Sequence, residues 1–215
     1  MMLDKILKKI SKHFILIEKE NEEFKFLQLN GMNFTNSSYY AEGLGNIGIM
    51  RVVDDKGMMK MSSLIINPFE IDGPMLSYDH IMMMENNILF LEPINTTVNN
   101  SFDCSGIKKV ADKYDEIIEN NPQKHHWYDN LRMEGTIFKK SAKTELIEEM
   151  IDEYYNVYLK SLLKSDKCDI NLKKEKAAAY SNGLIENGGP ATDPFIQAHG
   201  KEKTKEFFEQ LLFGV

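Results

Sequence analysis

Asp79 stands in the run Met75 to Met84 (MLSYDHIMMM), whose other members are mostly apolar. If that run is a strand, alternation puts Asp79 on one face with Ser77, Ile81 and Met83. Tyr78, His80 and Met82 then share the other face. A carboxyl on a buried apolar face is costly to ionise, so it can hold and donate a proton near neutral pH. The same alternation also allows a solvent-facing Asp79 with no chemical task. Asp193 has two readings as well. Followed by Pro194, it suits a helix N-terminus with no further purpose, or it supplies a second acid. Six of the 13 methionines form two clusters, Met58, Met59 and Met61, then Met82, Met83 and Met84. Such flexible, polarisable side chains line pockets for large flat ligands or fill a loosely specified sheet core.

Several other chemistries are excluded. The chain has no GxxxxGK[ST] loop, and Gly43-Leu44-Gly45-Asn46-Ile47-Gly48 lacks the GxGxxG spacing. It has no HExxH and no cysteine pair at metal-binding spacing. His125 and His126 are adjacent, so on a helix they would point about 100° apart and chelate poorly. Cys104 and Cys168 read as reduced thiols, and neither lies in a nucleophile-like context.

The elements that must position these residues follow from periodicity. Leu3, Ile6, Leu7, Ile10, Phe14 and Ile17 predict a helix over 3–17. Residues 46–53 and 58–66 read as strands joined by a turn at Asp54-Asp55-Lys56-Gly57. Residues 75–84 and 88–92 read as two more, with Asn86-Asn87 as the hairpin turn. These turns are too short for parallel crossovers, so the middle of the chain is an antiparallel meander. Phe24 to Leu29 is a strand or a helix extension. The second half predicts helices over 105–119, 142–163, 173–186 and 201–213, with a strand at 133–138 and a helix start at Asp193-Pro194. The order implies a single α+β domain over 1–215, a three-layer α/β/α sandwich around a central antiparallel sheet.

Composition agrees with a folded domain. The chain has 215 residues, 42% of them hydrophobic and 27% charged, which is enough to bury a core. Its net charge of −7 argues against nucleic acid as a partner. No stretch approaches the roughly 18 apolar residues of a membrane span. The N-terminus reads as the first helix of a cytoplasmic protein rather than a signal peptide.

Four stretches in order resemble the ferredoxin-dependent bilin reductases: MSSLIINPFEIDGPMLSYD (61–79), FLEPINTT (90–97), HWYDNLRMEGTIFKK (126–140) and GGPATDPFIQAHGKEKTKEFFEQLLFG (188–214). The resemblance implies a linear tetrapyrrole, such as biliverdin, held between the sheet and the C-terminal helices. It implies reduction by single electrons from ferredoxin or flavodoxin, through radical intermediates, with no bound cofactor or metal and a monomeric protein. By resemblance, Asp79 and Asp193 are the catalytic acids on opposite sides of the bilin, the pattern of the phytochromobilin- and phycoerythrobilin-forming branches. Lys139 holds a propionate, and Arg132 is a second propionate candidate. Ser62 and Met50 stand where the phycocyanobilin-forming branch has a His and a Glu, so they are expected to face the substrate. The ferredoxin patch is expected at Lys139, Lys140 and Lys143 or at Lys173, Lys174 and Lys176. Two other functions fit these stretches: a protein that binds a bilin without reducing it, and a reductase of another open-chain tetrapyrrole such as a chlorophyll or haem catabolite.

Overall fold

A computed structural model describes residues 2–215. An amphipathic helix, α1 (Met2–Ile10), buries Leu3, Ile6 and Ile10. It leads into strands β1 (Leu16–Glu18), β2 (Phe26–Leu29), β3 (Met32–Ala41), β4 (Gly45–Asp54), β5 (Met59–Pro68), β6 (Met75–Met83) and β7 (Asn86–Ile94). Helix α2 (Ser105–Asp115), strand β8 (Ile137–Ser141) and helices α3 (Thr144–Leu162), α4 (Ile170–Asn187), α5 (Asp193–His199) and α6 (Lys201–Phe207) follow. The last helix runs on into a π-helical end, Phe208–Phe213. The eight strands form one antiparallel sheet in the order β1-β3-β4-β5-β6-β7-β8, with β2 also paired to β3. Helices cover both faces, so the fold is the α+β sandwich that the element order implies.

One face packs against α1, α2 and α3. Its core joins Ile47, Ile49, Leu64, Leu76, Tyr78, Leu89 and Leu91 of the sheet to Ile147, Met150, Tyr154, Tyr155 and Tyr158 of α3. The second face meets α4, α5, α6 and the π-helical end through Phe34, Met50, Val52, Met75, Ile94, Tyr180, Phe195, Phe207 and Phe208.

Two buried asparagines fasten the C-terminal end to this second face. Asn46 Nδ2 donates to the Leu211 and Leu212 carbonyls at 3.3 and 3.0 Å, and Asn67 Nδ2 donates to the Phe213 carbonyl at 2.8 Å. These carbonyls lie at a helix end, where the helix itself offers no donors. Gly48 lets the two backbones meet: a Cβ there would lie 2.5 Å from Leu212 Cα and 2.5 Å from its carbonyl oxygen.

Helix α4 is pinned separately. Asp169 caps it by accepting from the Asn171 and Leu172 amides. The fully buried Lys173 donates to the Gly73 and Thr96 carbonyls and lies 3.9 Å from Asp72. Burial pulls the Lys173 ammonium down to about 8, with the Asp72 charge opposing that shift. Lys173 is therefore a structural tie, and Lys139 is equally buried. Each of the two lysine triplets thus loses one member to the interior, and Lys140 and Lys143, or Lys174 and Lys176, remain toward solvent.

The structure differs from the sequence reading in identifiable places. Strand β3 carries Asn33, Thr35, Asn36, Ser37 and Ser38, so its polarity hides it. The β6–β7 turn falls at Met84-Glu85, with Met84 at φ 54°, while Asn86 and Asn87 lie within β7. Helix α1 ends at Ile10 instead of continuing to Ile17. The methionine clusters sit at the β5–β6 hairpin end, where Met58, Met83 and Met84 are exposed. Gly48→Ala should cost about 1 to 3 kcal/mol, because backbone must move to admit the methyl group. Denaturant unfolding checks this, and a native midpoint would show that the C-terminal end does not press on β4.

Candidate functional site

The two faces of β5–β8 are covered unequally. On the α1–α3 side, Leu64, Ile66, Leu76, Tyr78, His80, Leu89, Leu91 and Ile137 are buried. On the other side, Met61, Ile65, Ser77, Asp79, Ile81, Ile88, Phe90 and Phe138 all keep partial exposure. Buried and half-open side chains alternate over most of this region, as the period of two requires, with half-open Ser62 on the closed side and buried Ser63 and Glu92 on the open side as exceptions. The C-terminal helices lie over β3 and β4 and close one end near Met75 and Ile94. A largely apolar strip across four strands is left as the floor of a cleft, about 14 Å wide at the usual strand spacing.

Asp79 lies in the middle of that floor. In register, one row runs Met50, Ser63, Asp79, Phe90, Phe138. The next row runs Gly48, Ile65, Ser77, Glu92. The row on the other side runs Val52, Met61, Ile81, Ile88, Lys140. Ser63 Oγ donates to Asp79 Oδ1. Burial raises the Asp79 carboxyl to about 6, against the Ser63 hydrogen bond and with help from the Glu92 charge. Such a group exchanges its proton readily at neutral pH.

A charged cluster borders Asp79. Glu92 is buried, and Arg132 Nε donates to its Oε2 at 2.6 Å. Arg132 Nη1 also donates to Asp129 Oδ1. The guanidinium carbon lies 4.8 Å from the ring centres of Tyr128 and Phe138, so the cation rests against the floor. Burial raises the Glu92 carboxyl, and Arg132 opposes that shift. Tyr180 of α4 meets Tyr128 edge-on, with ring centres 5.3 Å apart, and the two close this end of the cleft.

The residues singled out from the sequence divide between the two faces. Asp79 and Arg132 come together here, while Met50 shares the face and row of Asp79 but lies two strands away, buried in the core under the C-terminal helices. Ser62 does not: it pairs with Arg51 and His80, on the α1–α3 side. Lys139 is also on that side, opposite Leu89. Its Nζ donates to Asp115 Oδ1 at 2.7 Å, Asn120 Oδ1 at 2.6 Å and the Ile118 carbonyl at 3.1 Å. Ser62 and Lys139 therefore point to the face opposite Asp79, because a strand residue cannot serve both faces. Lys140 takes the open face and pairs with Glu119 at 2.8 Å. Asp193 is the first residue of α5, exposed and turned back to accept the Gly189 amide at 2.8 Å. This geometry is that of a helix start.

Ser63, Glu92, Tyr128 and Tyr180 were not singled out from the sequence. Glu92 carried one signal, an acid inside an apolar strand just before Pro93. Among the described residues, no group of His, Cys, Asp and Glu side chains could hold a metal ion, and no helix is long and apolar enough to cross a membrane.

The raised carboxyl ties stability to pH. The folded Asp79 titrates near 6 and the unfolded one near 3.8. The folded state therefore holds the proton more tightly, and stability falls as pH rises through that window. Asp79→Asn should be more stable than the native protein by about 1 to 3 kcal/mol at pH 8, with the gain vanishing toward pH 4. Unfolding curves across that range check this. Parallel pH profiles for the two proteins would mean that Asp79 is an ordinary surface acid.

No protein-family model matches the chain, and no curated protein does. Among solved structures, the chain is similar to phytochromobilin synthase from tomato, in a crystal structure with biliverdin. The TM-score is 0.76 at 15% identity, covering 99% of this chain and 81% of that one. At that identity, the likeness establishes the fold.

Proposed function

We propose that this protein binds a linear tetrapyrrole, of the biliverdin type, on the open face of β5–β8 and reduces it with single electrons from a ferredoxin or flavodoxin. The observation that carries this reading is the half-exposed apolar floor with one protonatable carboxyl, Asp79, at its centre. A floor of this width suits a flat multi-ring ligand better than a small polar metabolite. The shared fold with a protein crystallised with biliverdin supports the same ligand class.

Each role follows from placement. Asp79, below the ligand, gives a proton to the reduced pigment and regains one from solvent. Ser63 holds its carboxyl in place. Arg132 and Lys140 are the cations on this face, and they meet the ligand's propionates. Met61, Ile65 and Phe90 supply apolar contact. The protein works as a monomer in the cytoplasm with no resident cofactor, because the electrons come from the partner protein. A second reading, binding without reduction, uses the same floor. It is favoured by the exposed position of Asp193, which leaves one fewer acid at the ligand.

Adding biliverdin should give a one-to-one complex with a red-shifted or sharpened long-wavelength band. An unchanged spectrum would exclude both readings. Under anaerobic turnover with reduced ferredoxin, Asp79→Asn should bind the pigment but accumulate a radical, since Asn cannot donate and regain a proton. Native turnover by Asp79→Asn would remove its role.

The carboxylate contacts are tested separately. Arg132→Gln should weaken biliverdin more than its dimethyl ester, by about 1 to 3 kcal/mol. Lys139→Ala should bind both pigments as the native protein does, and lose stability instead. Pigment titrations with each variant decide between the two sites.

A further inference from the structure

We infer that the second carboxyl serving this cleft is Glu92, with Arg132 as its counter-ion, in place of Asp193. The inference rests on the reductase reading and names a further acid for it.

Placement is the first argument. Glu92 and Asp79 point from neighbouring strands to the same face of the sheet, one row apart. Glu92 lies opposite Ser77, a half-open residue of the floor, while its own carboxyl is buried. Asp193 is exposed and occupied by the Gly189 amide of its own loop.

Chemistry is the second. Reducing one double bond adds two electrons and two protons. The electrons come singly from the iron–sulfur or flavin donor, which is oxidised once for each. Two protons therefore have to reach two different carbon or nitrogen atoms, and one carboxyl beneath one ring reaches only part of the ligand. Asp79 gives one proton and Glu92 the other. Each carboxylate then takes a proton back from water.

Arg132 is the third argument. A buried carboxyl bound to one guanidinium can switch protonation state without leaving a naked charge, because Asp129 also engages Arg132 and shares its charge. Glu92 is thus held between burial, which favours the neutral acid, and Arg132, which favours the anion. The other charged or titratable groups facing this pair are His126, Tyr128 and Asp129 of the loop before β8, Lys140 of β8 and Tyr180 of α4.

The test has two arms. The first uses ligand-free protein and follows the Asp79 carboxyl by carbon-13 NMR as pH is changed. Glu92→Gln removes a negative neighbour and leaves Arg132 less neutralised, and both effects favour ionised Asp79. Its midpoint should move to lower pH, and an unmoved midpoint overturns the pairing. The second arm is anaerobic turnover of biliverdin. Glu92→Gln still offers Arg132 an acceptor oxygen, so it should fold and bind pigment, yet lose about 100-fold or more in the completing step. Glu92→Asp should recover part of that loss, because it restores a proton-carrying group. Asp193→Asn should lose far less than Glu92→Gln. The reverse ranking, with Asp193→Asn stalled and Glu92→Gln at the native rate, overturns the assignment. If the native protein binds pigment but never reduces it, the reductase reading fails, and the proton-donor assignment for Glu92 falls with it. The ligand-free titration still decides whether Glu92 and Asp79 form a pair.

Discussion

The architecture depends on where the C-terminal end of the chain lies down on the sheet. Asn46 and Asn67 supply donors to the Leu211, Leu212 and Phe213 carbonyls, and Gly48 removes the side chain that would hold the two backbones apart. This contact holds the last helical turns against β3, β4 and the Asn67 end of β5, and the rest of β5–β8 is less covered on that face. The other face has no such restriction, and the long helix α3 buries its Tyr154, Tyr155 and Tyr158 there. A sheet that is closed on one face and half closed on the other is the source of the cleft.

An open apolar floor is a liability unless something covers it. Here the strip is interrupted by Asp79 and bordered by the Arg132–Glu92 pair and Lys140, and the proposed ligand, a flat apolar body with anionic arms, is matched to that pattern. The same partial covering sets the chemistry. A solvated Asp79 would lose its proton at neutral pH. Burial raises the carboxyl to about 6, with the Ser63 hydrogen bond opposing the shift and the Glu92 charge adding to it. The buried Lys173 contributes from a distance: by fixing α4 to the Gly73 and Thr96 carbonyls, it sets where Tyr180 closes the end of the cleft.

Several placements show how far sequence patterns reach. The strand expected at 133–138 lies at Ile137–Ser141. Within it, neighbouring lysines have unrelated roles, Lys139 in the closed core and Lys140 on the open face, because adjacent strand residues point opposite ways. Ser62 and Ser63 divide in the same manner. Asp193 could be read as a helix start or as an acid, and only the direction of its carboxylate separates the two.

The sequence by itself determined the fold class, the antiparallel meander and the side of β6 on which Asp79 sits with Ser77, Ile81 and Met83. Those follow from local periodicity and turn length, which a single chain displays openly. The resemblance of four collinear stretches also implies this sandwich. The tertiary structure alone decided how much of each face is covered, and therefore whether Asp79 is solvated, buried or poised between the two. It also brought Glu92 and Arg132 together across 40 residues of chain. Covering and pairing of this kind depend on how distant elements pack, and the physical reason they escape the sequence is that burial belongs to the assembled layers rather than to any one segment.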